Sequence, residues 1–336
     1  MRYLFELSLE HKTFPKEEII SCLLGENIDF EIIETNHSIL LIESLDDTKI
    51  KNIFERLSYT YFIDKFLFSC TPDLKILNKN ALEKKFDFNG SVAVKCKNRS
   101  KKIDSEQIIK VLASVFTEGK KVDLSNPDNE IRALITDSKI YVGLKIFRVN
   151  RTQFEKRKVQ FRPFFSPVSL HPKIARVLVN LYKKKKKDTL LDPFCGTGGI
   201  LIEGGLIGLN LIGSDIEEKM VEGSRENLDF YNIKNYNLFL SDIGSIDRYM
   251  GKVDSVVTDL PYGKSTTTNG EDLNALYDRS FEMVSKVLKK NKIAVIGLSD
   301  ERYISIAEKY LKLIKIHKFR AHRSLTRFFV VFKKEP

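Results

Sequence analysis

Four aspartates close successive apolar runs: Asp192 after TLL, Asp215 after NLIGS, Asp242 after NLFLS and Asp259 after VDSVVT. One such acid is an ordinary helix cap. Four in series form an acidic cradle, which suits a cationic ligand. A glycine turn follows the first, in DPFCGTGGILIEGG, where Gly196 and Gly198 let the backbone bend and approach a ligand. It is not a dinucleotide fingerprint, because Leu201 stands where the last glycine belongs, and no Gly-Lys-Ser/Thr P-loop follows. After the fourth comes DLPYG, which sets a tyrosine ring three residues from a carboxylate. Such a pair can stack a planar group beside an acceptor.

These residues need a frame. From residue 188 onward apolar runs alternate with helical patterns near 199–208, 217–231, 273–290 and 301–311, which predicts a doubly wound parallel sheet. The tail, KLIKIHKFR and SLTRFFVVFKKE, adds two strands as an antiparallel hairpin at the edge. Ligands of such sheets bind at the carboxyl ends of the strands. Asp192 closes the first strand, and Asp215, 23 residues later, falls where an acid holds ribose hydroxyls. Asp242 is placed to accept from an adenine amino group, with Ile216 and Ile243 on either side of the ring. S-adenosyl-L-methionine carries a sulfonium and an amino group. The Gly196-Thr197-Gly198 turn resembles the methyltransferase form of the nucleotide-binding loop.

DLPYG in turn resembles the Asp-Pro-Pro-Tyr motif of amino-methyltransferases, with Leu260 in place of one proline. An exocyclic amine shares its lone pair with its ring and is a poor nucleophile. The resemblance implies that Asp259 and a proline-fixed backbone carbonyl at Pro261 accept its hydrogens, and that Tyr262 stacks on a flipped base.

Upstream, residues 2–68 read as strand, helix, strand, strand, helix, strand, the order of a ferredoxin-like unit. The helix beginning at Pro15 puts Ile19, Ile20, Leu23 and Leu24 on one face, and Asp46 caps a helix over 48–57. The stretch VDLSNPDNEIRALITDSKIYVGL resembles the THUMP domain, an RNA-binding module of tRNA-modifying enzymes. Charge agrees. Residues 1–74 carry 7 basic and 14 acidic side chains, whereas residues 75–162 carry 21 and 10, within a chain of net charge +11. That asymmetry points to a polyanionic partner. Lys95, Lys97, Arg99, Lys101 and Lys102 are the phosphate-contact candidates, and the run Lys183–Lys187 reads as a solvated helix end.

Together these segments make the chain similar throughout to the archaeal tRNA (guanine-10-N2)-methyltransferase family. The expected organisation is α/β: a ferredoxin-like α+β unit over 1–70, a THUMP domain over 71–150, a linker over 151–170 and a Rossmann-like methyltransferase domain over 171–336. The resemblance implies transfer of one or two methyls from S-adenosyl-L-methionine to the N2 amine of guanine 10 in tRNA, with Ser169 near the cofactor. The DLPYG motif alone leaves open an adenine-N6 methyltransferase, and Leu260 a catalytically inactive RNA-binding relative. Four widely spaced cysteines give neither a metal site nor a disulfide framework, and no apolar run is long enough to span a bilayer. The expectation is a cytoplasmic monomer with tRNA as its partner and no metal.

Overall fold

The computed structural model describes residues 1–100, 102–166, 169–183, 187–262, 271–322 and 325–336. The chain divides into two units. One contains Met1–Lys12, Ile28–Phe54 and Thr60–Asn150; the other contains Thr13–Asn27, Glu55–Tyr59 and Arg151–Pro336.

The first unit is built on strands β1 (Arg2–Leu7), β2 (Phe30–Thr35), β3 (Ile39–Ser44), β4 (Thr60–Cys70), β5 (Val92–Asn98), β6 (Asn129–Ile135) and β7 (Ile140–Arg148). They form one sheet in the order β2-β3-β1-β4-β7-β6-β5. The β2-β3-β1-β4 half is antiparallel throughout, as a ferredoxin-like unit requires. Its β2–β3 turn is tied by Asn36, whose Oδ1 accepts from the N–H groups of Ser38 and Ile39. The boundary expected at 70/71 falls inside this sheet, because β4 pairs with β7 along most of its length. Helices Leu74–Glu83 and Ser105–Phe116 cover the β7-β6-β5 half, burying Leu77, Ala81, Ile108, Leu112 and Phe116.

Two local expectations change. Asp46 does accept from the Lys49 N–H, at 3.0 Å, but the helix that follows is only Lys51–Phe54. In helix Phe14–Gly25 the buried stripe is Phe14, Glu18, Ile19, Cys22 and Leu23, while Leu24 faces outward. Glu18 is buried because it is fully used: it accepts from the N–H groups of Ser58 and Tyr59, the Ser58 hydroxyl and Asn180 Nδ2. These bonds explain why this helix belongs to the second unit.

That unit holds β8 (Thr189–Asp192), β9 (Asn210–Asp215), β10 (Tyr236–Leu240), β11 (Val253–Asp259), β12 (Leu288–Leu298), β13 (Lys312–His322) and β14 (Leu325–Lys333). The order is β10-β9-β8-β11-β12-β14-β13, parallel from β10 to β12 and antiparallel at β14 and β13. This is the doubly wound Rossmann-like sheet with the expected hairpin at its edge. Strands buried on both faces explain the runs SVV, IAVIGL and FFVVF. β12 starts at Leu288, so the helix expected to reach 290 ends at Val287.

The described residues of the expected linker, 151–166 and 169–170, group with the second unit. A helix over Thr152–Lys156 and a 3-10 turn over Val159–Phe161 lead into a strap held by its own arginines and aromatics. Arg157 forks onto Glu203 at 2.7 and 3.0 Å, and Arg176 reaches the same carboxylate at 2.8 Å. Asn227 accepts from the Phe164 N–H and donates to the carbonyls of Phe164 and Thr197, stapling the strap to the glycine turn. Within the lysine run, Lys184–Lys186 lie outside the described residues. Among the described residues no helix is long and apolar enough to cross a membrane.

Candidate active site

β8 and β11 are neighbours, and the chain leaves them toward opposite edges of the sheet, so their carboxyl ends flank a crevice. A cavity of about 480 Å³ opens there. The strap supplies Ser169, β8 and its turn supply Asp192, Gly196 and Thr197, and the ends of β9 and β10 supply Asp215, Ile216, Asp242 and Ile243. The exit from β11 supplies Asp259, Pro261 and Tyr262. Of the cofactor and catalytic candidates in this half of the sequence, Gly198 alone does not line the cavity. It shapes the turn from behind: φ is 77°, and a Cβ there would stand 2.5 Å from Ser224 Oγ.

Each acid has its own environment. Asp192 is buried, and its Oδ1 accepts from the Thr258 hydroxyl at 2.7 Å and the Phe194 N–H at 3.3 Å. Burial pushes it up to about 7, against those hydrogen bonds and with help from the charges of Asp215 and Asp259. Asp215 is also raised by burial, although it accepts from the N–H groups of Gly196 at 2.9 Å and Glu217 at 3.1 Å. At Asp242 burial pulls upward too, but Arg279 at 2.5 Å and the Gly244 N–H at 2.8 Å outweigh it and hold the carboxyl below its ordinary range. Arg279 is itself forked onto Glu271 at 2.7 and 2.6 Å. Ser169 Oγ lies 2.9 Å from Thr197 Oγ1, closing the strap onto the turn.

Because Asp192 holds its proton more tightly when folded, this group's contribution to stability falls as pH rises from about 4 to 7. Asp192→Asn keeps the Oδ1 acceptor and removes that penalty. Its unfolding free energy should gain on wild type through this window and level off above it, the gap approaching at most about 4 kcal/mol. Melting curves from pH 4 to 9 check this, and a gap independent of pH contradicts it.

The β11 exit carries the reactive geometry. The Tyr262 hydroxyl donates to Asp259 Oδ1, and Arg327 Nη1 donates to Oδ2 at 3.1 Å. The Arg327 guanidinium also lies over the Tyr262 ring, 5.0 Å from its centre. Burial raises the Asp259 carboxyl, opposed first by the Arg327 charge and then by the Tyr262 hydroxyl. Asp259 pairs in register with Gly297 of β12, where a Cβ would stand 2.1 Å from Oδ1. The carboxylate thus occupies the space of a missing side chain. The Pro261 carbonyl accepts from Tyr277 Oη at 2.9 Å, so that oxygen is a prop for the loop. The same oxygen has a second lone pair, and the proline ring restricts Leu260 before it. Leu260 itself is buried beside Ile243, Leu276 and Tyr277, and its N–H donates to the Gly297 carbonyl at 3.0 Å, a bond no proline could make.

Sequence reasoning did not find Tyr277, Arg279, Glu271, Gly297 or Arg327. Only Gly297 carried a signal, an isolated glycine inside a strand pattern.

The proposed phosphate contacts separate in the first unit. Arg99 is turned inward, donating to Glu6 and to the carbonyls of Leu7 and Ser38, so it is a structural residue and not a surface cation. The chain end of β1 needs that cation, because Glu6 is buried. Lys95 is half exposed and paired with Glu130 at 3.2 Å. Lys97 is exposed, and exposed Lys102 donates to the Asp137 carbonyl. Lys101 lies outside the described residues.

The residues of the cavity fit S-adenosyl-L-methionine: carboxylates for its cationic and hydroxyl groups, and apolar Ile216 and Ile243 for its ring. A THUMP domain model matches residues 72–145, and an RMKL-like methyltransferase domain model matches residues 159–328. The whole-chain fold is similar to that of TrmN from Thermus thermophilus, with TM-score 0.59, 17% identity and 99% of this chain aligned to 100% of that one. It is also similar to SMU.472 complexed with SAH, with TM-score 0.55, 14% identity and 99% and 98% of the two chains. Those two likenesses show the fold; the matching methyltransferase domain and the lining of the cavity make S-adenosyl-L-methionine the cofactor. In sequence, the chain is 34% identical to the tRNA (guanine(10)-N2)-dimethyltransferase of Methanothermobacter thermautotrophicus, over 99% of this chain and all of that protein. A match of that extent makes this chain a member of the tRNA (guanine(10)-N2)-dimethyltransferase family.

Proposed function

We propose that the protein methylates the N2 amine of guanine 10 in tRNA, and does so twice. The observation that carries this reading is the Asp259–Tyr262 pair, which lines the same cavity as the glycine turn and the acidic strand ends. Bound S-adenosyl-L-methionine supplies an electrophilic methyl group, whose bond to sulfur breaks as the N2 lone pair takes it up, the bonding pair staying on sulfur. Asp215 holds ribose hydroxyls and Asp242 the adenine amine, fixed in place by Arg279. Asp259 accepts an N2 hydrogen, drawing electron density back onto nitrogen before bond formation, and relays the surplus proton to solvent afterwards. Tyr262 packs on the base, and its hydroxyl keeps the carboxylate aimed. The THUMP segment, with Lys97 and Lys102 on its surface, grips tRNA phosphates without reading sequence. The enzyme acts as a monomer, in the cytoplasm.

The test is mass spectrometry of nucleosides and fragments from unmodified tRNA incubated with protein and isotope-labelled cofactor. The expected product is N2,N2-dimethylguanosine at position 10, preceded by the monomethyl form. N6-methyladenosine, or no labelled nucleoside, would overturn the reading.

A further inference from the structure

The sheet brings one more residue to the reaction centre. Arg327 lies on β14, which runs antiparallel beside β12 with Phe329 opposite Gly297. Two positions along the same face, its guanidinium reaches Asp259 Oδ2. Arg327 and Tyr262 together give each Asp259 oxygen one donor. Arg327 Nε is buried with no hydrogen-bond partner among the described residues.

The chemistry of the base explains why a permanent cation belongs there. The guanine edge carries N1–H and the N2 amine side by side, two adjacent donors. An ionised carboxylate offers acceptors only, and complements that edge. Adenine sets its amine beside a ring nitrogen that accepts. A neutral carboxylic acid, with one donor and one acceptor, complements that pattern instead. The protonation state of Asp259 therefore decides which base fits. Burial favours the neutral form, and the charges of Asp192 and of a dissociating Tyr262 or Tyr277 would add to that. Among the described side chains facing Asp259 only Arg327 is always cationic.

We propose that Arg327 is a positioning residue that keeps both Asp259 oxygens as acceptors and so fits the site to guanine in preference to adenine. The inference rests on the guanine-N2 reading above. The experiment compares wild type, R327Q and R327K, full-length, on unmodified tRNA from pH 5.5 to 9.5, with cofactor binding measured by calorimetry. R327Q should bind cofactor within about threefold of wild type. The acid limb of its kcat/KM profile should move up by at least one pH unit, giving a loss of more than tenfold at pH 6 that narrows above pH 9. R327K should keep the wild-type acid limb. A uniform loss at every pH, unchanged activity in R327Q, or an R327K limb displaced like that of R327Q overturns the proposal. If R327Q fails to fold, the R327K limb decides by the same criterion. A wild-type product other than N2-methylated guanosine overturns the functional reading itself, and is seen before any variant is compared.

Discussion

Asp259→Ala should lower the single-turnover methylation rate by about a thousandfold, the scale of losing a preorganised polar group that acts on the transition state. The side chain is the only carboxylate among the described residues bonded to both Tyr262 and Arg327, so its removal takes the acceptor from the amine and leaves the ring unaimed. Cofactor affinity should change little, since Asp192, Asp215 and Asp242 are retained. Calorimetry beside rapid-quench assays separates the two effects. More than a tenth of wild-type rate in the variant would place the acceptor elsewhere.

Gly297→Ala should be nearly as severe, although Gly297 lies on a different strand from the motif. Alanine in a strand interior is ordinarily harmless or slightly stabilising. Here the new methyl would stand 2.1 Å from Asp259 Oδ1 and 3.1 Å from a carbon of the Phe329 ring, and one of them must move. The carboxylate is the end that can, and a displacement of about 1 Å at a reacting group costs roughly a hundredfold in rate. The expected variant is folded, melts within a few degrees of wild type, binds cofactor and barely turns over. If it keeps full activity, Asp259 does not work from the position seen here.

Much of this site could be read from the chain because its acids sit at strand ends, where hydrophobic periodicity and loop chemistry change together. Asp192, Asp215, Asp242 and Asp259 each close an apolar run, and the turn beginning at Gly196 is contiguous. What stayed hidden comes from across the sheet. Arg327 meets Asp259 only because β14 inserts antiparallel next to β12, a pairing no local pattern specifies. Tyr277 looks like any core aromatic on an amphipathic helix, and its hydroxyl contact to Pro261 needs the folded loop. The burial of Glu18 is hidden for the opposite reason. Its helical position looks solvent-facing by residue type, and only the converging donors of Ser58, Tyr59 and Asn180 make its burial tolerable.

The β4–β7 ladder has a consequence for modularity. The segment matching the THUMP model begins at residue 72, yet the eleven-residue strand β4 that ends at Cys70 is hydrogen-bonded to the far side of that segment. Excising 72–145 would bare the long edge of β4, and moving the segment alone into another protein would bare β7. Unprotected edges of that length recruit strands from other chains. A truncation or recombination at the start of the matched segment would therefore cut between hydrogen-bonded strands of one seven-stranded sheet.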